Sequence, residues 1–304
     1  MPKWLRMFRS LTVSRSIWSW VIFGVASSTA LGASPPTVNV TIADVPMLVA
    51  APARITQHTP VIILYHGFGP PNSPQSLAQA LPPIPNALMV YPSLPLVGAR
   101  MPAGGVDELL RRQREDYIGQ LLYPSILGAA HELPQILKAL SKTYGLSKSS
   151  PIILFGFSAG GAAALLSLTE SDVRPRAVLV VNAPLSIVQA VDGYERQSKS
   201  VYAWTENAKD ASAHYDIEKS AQRIVKLNPK AAFLLLQSEH DAGFATTAAQ
   251  SAAMALANAA SLSRPEPDIS AKVLPNSDHY VLTGSESAVV NPMIIAWLTQ
   301  HAFP

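Results

Sequence analysis

The sequence predicts an α/β protein with a mostly parallel central sheet of about eight strands and helices on both faces. Short apolar runs alternate along the chain with longer stretches of helical periodicity. The runs are rich in valine, isoleucine and leucine and end at glycine, proline or asparagine, which is typical of strands buried on both faces. Sheets of this kind carry their functional side chains at the carboxyl ends of the strands, so the polar residues there are the first candidates for a site.

The predicted elements follow one another along the chain. Residues 37–45 and 47–51 alternate apolar and polar, which indicates an antiparallel hairpin. Six continuous apolar runs then predict buried strands at residues 60–65, 87–91, 152–157, 177–181, 231–237 and 269–274. Candidate helices lie between and after them at residues 107–122, 126–144, 160–169, 220–227, 246–260 and 288–301.

Length and composition set the limits for this fold. The chain has 304 residues, of which 48% are hydrophobic and 14% charged, and it contains no cysteine. Such a composition excludes a disordered chain and is sufficient for one large core, which we predict over residues 34–304. Without cysteine there is no disulfide, no thiolate nucleophile and no cysteine-based metal site.

Residues 1–33 have the composition of a secretory signal peptide. They contain four basic and no acidic residues, an apolar stretch at residues 17–26, and small residues at 27–33. The apolar centre is about half the roughly 20 residues needed to span a bilayer, although an uncleaved signal anchor is the alternative. We therefore expect a periplasmic or secreted bacterial protein with no membrane attachment after cleavage.

The run at residues 152–157 leads into a G-x-S-x-G motif. Ser158 follows this predicted strand and precedes a predicted helix, with Gly156 and Gly160 on either side. A sharp strand-to-helix turn forces the serine into a strained backbone conformation, and glycine at both flanks leaves room for the strand and helix to pass each other. The amino end of the helix adds partial positive charge where an oxyanion would form. The motif therefore predicts a serine nucleophile.

A second motif, His66-Gly67-Phe68-Gly69, follows the third predicted strand. With these two motifs, the chain over residues 37–302 resembles the α/β-hydrolases that have a serine nucleophile. The resemblance implies an oxyanion hole made by the backbone amides of Phe68 and Ala159. It also implies that His66 shapes the loop by hydrogen bonding and is not the catalytic base.

A serine nucleophile needs an imidazole to take its proton and a carboxylate to orient that imidazole. In the α/β-hydrolases the order along the chain is serine, acid, histidine. Asp241 follows the penultimate predicted strand and His279 follows the last one. We therefore predict the catalytic residues Ser158, Asp241 and His279.

Three neighbouring residues are alternatives for these roles. Glu239 lies two positions before the predicted acid, and His240 lies beside it. Asp278 directly precedes the predicted histidine, but adjacent side chains rarely hold an imidazole toward a distant serine. We expect His240 to point away or to line the rim of the site.

The connection at residues 185–219, after the sixth predicted strand, is a possible small cap. In the α/β-hydrolases this connection often covers the pocket, and about 35 residues suit a modest substrate better than a polymer. Its aromatic side chains either form a substrate-binding wall or pack the cap onto the body. These side chains are Tyr194, Tyr202, Trp204 and Tyr215.

The sequence thus predicts an exported serine esterase that cleaves small to medium carboxylic esters through an acyl-enzyme. The Tyr91-Pro92 step is similar to that of dienelactone-hydrolase-like and prolyl-oligopeptidase-like members, so a peptidase or amidase is the alternative, and a non-catalytic binding protein is less favoured. We expect no metal or other cofactor, because the histidines are isolated and there is no nucleotide-binding glycine loop. Residues 1–33 hold four of the 23 basic and none of the 20 acidic residues, so the remainder has a net charge of −1. This balance does not indicate a nucleic-acid partner.

Overall fold

An eight-stranded sheet forms the centre of the computed structural model, which describes residues 35–261, 263 and 266–303. Its strands are β1 (Thr37–Ile42), β2 (Val45–Ala50), β3 (Val61–Tyr65), β4 (Leu88–Pro92), β5 (Ile152–Phe157), β6 (Ala177–Val181), β7 (Ala232–Ser238) and β8 (Ile269–Leu274). They are arranged in the order β1-β2-β4-β3-β5-β6-β7-β8. The strands β4, β3, β5, β6, β7 and β8 pair in parallel, and β2 alone runs in the opposite direction, antiparallel to β1 on one side and to β4 on the other. The predicted mostly parallel sheet is confirmed.

The β1–β2 hairpin turns earlier than the sequence pattern indicates. Ile42 pairs with Val45, so the turn consists of Ala43 and Asp44. Both have positive φ, 51° and 62°, as a two-residue type I′ turn requires. Asp44 tolerates this conformation better than most residues, which favours a turn here.

Nine helices in the described part of the chain cover the sheet. They are α1 (Pro74–Ala80), α2 (Gly105–Asp116), α3 (Tyr123–Tyr144), α4 (Ala159–Glu170), α5 (Ile187–Ser198), α6 (Glu206–His214), α7 (Ile217–Leu227), α8 (Thr246–Ala260) and α9 (Ser287–Ala302). Apolar residues of α3, α4, α7 and α8 pack on one face of the sheet, and those of α1 and α9 pack on the other. Helices therefore lie on both faces, as predicted.

The edge strand β8 differs from the prediction of a strand buried on both faces. Of its six residues only Leu274 is buried, and Val273 is exposed. Because β8 has a neighbour on one side only, its apolar sequence lies partly in solvent. The inner strands β3, β5, β6 and β7 are buried as predicted, with only Ile152 at the start of β5 partly exposed.

The predicted helix at residues 107–122 is interrupted at Asp116. This residue has φ −161° and ψ 86°, and its carboxylate accepts a hydrogen bond of 2.7 Å from the amide of Gly119. Residues 117–122 then form a π-helical turn before α3 begins. Helix α1 and the cap helices α5 and α6 have no counterpart among the predicted helices. They are short, and α5 and α6 carry many polar residues, which makes their periodicity weak.

The predicted signal peptide at residues 1–33 lies outside the described residues. Within the described ranges, no helix combines the length and the apolar character needed to cross a bilayer.

Candidate active site

Ser158 occupies the turn between β5 and α4. Its backbone has φ 53° and ψ −123°, a strained conformation for a residue with a side chain. Glycine is required on both sides. A Cβ atom at Gly156 would lie 2.3 Å from the carbonyl oxygen of Gly160, and one at Gly160 would lie 2.4 Å from the carbonyl oxygens of Tyr65 and His66. The backbones of β3, β5 and α4 thus meet here without room for a methyl group, and this close approach presents Ser158 at the carboxyl edge of the sheet.

Three loops at this edge join Ser158, His279 and Asp241 in one chain of hydrogen bonds. Ser158 Oγ lies 3.1 Å from His279 Nε2, and His279 Nδ1 lies 2.8 Å from Asp241 Oδ2. The serine follows β5, the aspartate β7 and the histidine β8. An imidazole held between a carboxylate and a hydroxyl in this way can accept the hydroxyl proton and return it to a leaving group.

The Asp241 carboxylate is enclosed by donors. Its side chain is 0% exposed. Oδ1 accepts from the backbone amides of Gly243 at 2.7 Å and Phe244 at 3.2 Å, and Oδ2 accepts from Gln237 Nε2 at 3.0 Å in addition to His279. Both oxygens therefore act only as acceptors, which holds the carboxylate in one orientation.

The three alternative residues lie outside this chain of hydrogen bonds. Glu239 is exposed and accepts from the backbone amide of Asn276 at 2.8 Å. His240 is exposed and has Glu239 as a distant partner at 3.9 Å. Asp278 caps its own loop by accepting from the amide of Tyr280 at 2.8 Å. None of the three contacts the Ser158 hydroxyl.

The loop after β3 lies directly against the nucleophile turn. A Cβ atom at Gly67 would lie 3.0 Å from Ser158 Cβ, so this loop can approach so closely only with glycine there. Within the described residues, the backbone amides of Phe68 and Ala159 have no hydrogen-bond acceptor. Two free amides on loops that meet at Ser158 can donate to an oxyanion.

His66 anchors this loop as a neutral imidazole. The side chain is buried. Its Nδ1 donates to the carbonyl of the next residue, Gly67, at 2.8 Å, and its Nε2 accepts from the amide of Leu94 at 3.2 Å. These hydrogen bonds confirm the predicted loop-shaping contacts. Burial lowers the pKa of His66 to about 4, because the charged form would lose its hydration.

The buried His66 makes the stability of the protein sensitive to acid. An unfolded histidine has a pKa near 6.5, so below that pH the unfolded chain binds a proton that the folded chain does not. Stability from this group is therefore present above about pH 6.5 and is lost as the pH falls toward about 4. We expect the free energy of unfolding to fall by about 2 kcal/mol between pH 8 and pH 5 because of His66. Urea unfolding of wild type and His66→Gln at both pH values measures this, and an equal loss in the two proteins would contradict it.

A pocket of about 70 Å³, open to solvent, lies over Ser158 and His279. Its wall is rich in aromatic and small apolar residues. Tyr117 and Tyr194 stack with ring centres 5.1 Å apart, which joins the body of the protein to the cap. The other lining residues are Phe68, Gly69, Gln113, Leu122, Ala159, Pro184, Ala190, Gly193, Gln197, Ser198, Phe244 and Tyr280. Among the described residues of this lining there is no lysine, arginine, aspartate or glutamate.

The four aromatic residues of the cap divide between the two predicted roles. Only Tyr194 lines the pocket. Tyr202 packs edge-on behind Tyr194 and donates to the buried Asp116 carboxylate. Trp204 packs edge-on against Tyr202 and is 39% exposed, and Tyr215 is 1% exposed with its hydroxyl donating to the Pro184 carbonyl at 2.6 Å. The binding-wall prediction is therefore corrected for Tyr202, Trp204 and Tyr215, which hold the cap in place.

Several residues that line the pocket were not predicted from the sequence. Phe244 and Tyr280 follow the predicted acid and histidine closely, and both rings lie within 5.6 Å of the His279 ring. Their position next to these two residues is a signal that was available. Gln113 and Tyr117 lie where a charge-rich helix ends, and nothing in that pattern distinguishes them.

Comparison with known proteins gives one family match and many similar structures. The model of the prolyl oligopeptidase family matches residues 130–303, which include Ser158, Asp241 and His279. A search of curated proteins finds no match.

The similar solved structures share the fold at low sequence identity. TT1662 from Thermus thermophilus is 18% identical with a TM-score of 0.62, covering 88% of this chain and 98% of that one. A puromycin-hydrolyzing peptidase of Mycobacterium tuberculosis is 15% identical with a TM-score of 0.59, covering 89% of this chain and 40% of that one. An acylaminoacyl peptidase of Pyrococcus horikoshii is 14% identical with a TM-score of 0.59, covering 88% and 41%. The chain thus spans about two fifths of the length of these two peptidases.

The family match covers more than half of the chain, and TT1662 shares the fold over 88% of the chain. The predicted α/β-hydrolase fold is confirmed. The chain belongs to the prolyl oligopeptidase family, a family of serine hydrolases within the α/β-hydrolase superfamily.

Proposed function

We propose that this serine hydrolase is an esterase that cleaves small to medium uncharged carboxylic esters. The observation that carries the proposal is the hydrogen-bonded chain from Ser158 through His279 to Asp241 at the base of a neutral, aromatic pocket. A pocket without charged side chains has no partner for the charged terminus of a short peptide. It suits an acyl or aryl group instead.

The proposed reaction follows from the roles of these groups. Ser158 Oγ attacks the ester carbonyl while His279 Nε2 takes its proton, and Asp241 stabilises the imidazolium. The amides of Phe68 and Ala159 donate to the oxyanion of the tetrahedral intermediate. His279 then protonates the leaving alcohol, and water repeats the sequence on the acyl-enzyme to release the acid.

Labelling with a fluorophosphonate probe and turnover of nitrophenyl acyl esters test this proposal together. We expect the wild type to be labelled covalently and to hydrolyse short and medium acyl esters. Ser158→Ala removes the attacking oxygen, so both signals should disappear. Labelling or turnover that persists in Ser158→Ala would overturn the assignment, and a wild type with neither activity would indicate a binding protein.

A peptidase or amidase is the second candidate, because the family match and two similar structures are peptidases by name. The same groups would act on an amide bond. Initial rates on nitrophenyl esters and on aminoacyl or prolyl nitroanilides separate the two. A higher kcat/KM for the amides, which are intrinsically less reactive, would favour the peptidase.

We also propose that the protein is exported and acts without a nucleic-acid partner or a cofactor. The basic, apolar and small-residue segments within residues 1–33 support export. The net charge of −1 on the remainder of the chain supports a small neutral substrate over a polyanion.

A further inference from the structure

Helix α2 directs one polar side chain into the molecule without giving it a partner. Leu109, Gln113 and Asp116 are the buried residues of this helix, spaced as one helical face requires. The intervening arginines and glutamates pair with one another on the outer face. Gln113 is 7% exposed, so most of the residue is enclosed by its neighbours.

The two buried polar residues of this face differ in their hydrogen bonding. Asp116 receives hydrogen bonds from the hydroxyls of Tyr202 and Thr205 and from the amide of Gly119. No described residue makes a hydrogen bond to the Gln113 side chain, although its backbone carbonyl accepts one of 3.5 Å from the Tyr194 hydroxyl. Neither carboxamide atom of Gln113 is among the fully enclosed side-chain atoms that lack a partner, so the group reaches the solvent of an adjoining pocket. A polar group that faces a pocket without an internal partner is free to bind a molecule that enters the pocket.

Gln113 borders two cavities, and only one of them can admit a hydrogen-bonding partner. On one side it borders a cavity of only about 10 Å³ whose other walls are leucine, valine and Phe68 side chains, without hydrogen-bonding groups. On the other side it borders the pocket over Ser158 and His279, next to the stacked rings of Tyr117 and Tyr194. The free carboxamide thus belongs to the wall of the reaction pocket.

We propose that Gln113 is a specificity-determining residue that hydrogen-bonds an uncharged polar group of the substrate, such as an amide carbonyl. The same part of the substrate also carries a flat apolar group. The stacked tyrosines provide the apolar surface, and the carboxamide provides a donor and an acceptor beside it. This inference rests on the proposed esterase function and narrows it. The favoured substrate is an uncharged ester that contains an amide or similar group near the ester bond.

Paired substrates that differ only in this polar group test the proposal. For the acyl side, the pair is the nitrophenyl esters of N-acetylphenylalanine and of 3-phenylpropanoic acid. For the alcohol side, it is N-(2-acetoxyethyl)benzamide and 4-phenylbutyl acetate. The variant is Gln113→Met, which keeps the side-chain length and removes the hydrogen-bonding atoms. The control is Gln222→Met, at an exposed position of α7 away from the pocket.

We expect the ratio of kcat/KM within at least one pair to favour the amide-containing ester in the wild type. In Gln113→Met this ratio should fall about threefold to tenfold, the loss of one neutral hydrogen bond, while the control keeps the wild-type ratio. The thermal midpoint of Gln113→Met should be equal to or above that of the wild type, because no internal hydrogen bond is lost.

The outcomes separate this inference from the proposed function. If no ester of either pair is hydrolysed, the esterase proposal fails. If the esters are hydrolysed but neither ratio changes in Gln113→Met, the esterase proposal stands and the role of Gln113 is overturned. A lower thermal midpoint together with unchanged ratios would show that Gln113 serves the packing of α2 alone.

Discussion

Replacing Asp241 with asparagine is expected to lower kcat for ester hydrolysis about 10⁴-fold while the protein stays folded. The carboxylate accepts from four donors: Gly243 and Phe244 at Oδ1, and Gln237 and His279 at Oδ2. An asparagine carboxamide has one accepting atom and one donating atom. Its NH₂ group is better placed toward Gln237 and His279, because those side chains can adjust and backbone amides cannot.

This placement changes the tautomer of His279. With an NH₂ group facing it, His279 Nδ1 must accept, so the ring proton moves to Nε2 and points at Ser158 Oγ. An imidazole that already carries a proton at Nε2 cannot accept the serine proton there. The nucleophile loses its base although every heavy atom remains near its original position.

Steady-state kinetics on a nitrophenyl ester and the rate of fluorophosphonate labelling measure this loss. Glu239→Gln is the matched control, since it exchanges a carboxylate for an amide two residues away in an exposed side chain. It should stay within a few-fold of wild type. A larger loss in Glu239→Gln than in Asp241→Asn would assign the acid to Glu239.

Gly160→Ala is expected to prevent folding or to lower the free energy of unfolding by more than about 3 kcal/mol. The added Cβ would lie 2.4 Å from the carbonyl oxygens of both Tyr65 and His66. These are backbone atoms of the central strand β3 and the loop after it, so no side-chain rotation relieves the overlap. Helix α4 must move away from the sheet, which opens the core under Ser158.

Soluble yield and the urea midpoint of unfolding measure this effect. Gly284→Ala is the matched control, because the closest atoms to its added methyl group lie 3.4 Å away. That variant should unfold within about 1 kcal/mol of wild type. A Gly160→Ala protein as stable as Gly284→Ala would contradict the tight approach of α4 to β3.

Much of the fold and of the triad follows from local sequence patterns. The buried parallel strands are continuous apolar runs because both of their faces are covered, and such runs are visible without a structure. Ser158 lies in a turn that only its flanking glycines permit. Asp241 and His279 each lie in the loop that follows a strand, and the carboxyl ends of parallel strands meet at one edge.

The walls of the pocket could not be predicted in the same way. Tyr194 and Tyr215 occupy the same short cap and have the same side chain, yet one lines the pocket and the other is buried beneath the cap. The difference depends on which face of α5 meets the stacked Tyr117 and on the contact of Tyr215 with Pro184. Contacts between segments distant in sequence leave no periodic signal.

The sequence by itself predicted the sheet and the turn that carries Ser158, because each depends on residues close together in the chain. The resemblance to α/β-hydrolases then implied Asp241 and His279, which follow strands whose carboxyl ends lie at one edge. The tertiary structure decided which carboxylate reaches His279, which cap aromatics face the substrate, and that Gln113 enters the pocket unpaired. These features depend on the packing of α2 and the cap against the sheet. That packing brings together side chains that are tens of residues apart in the sequence. Only their positions in space distinguish the side chains that line the pocket from those that are buried in the core.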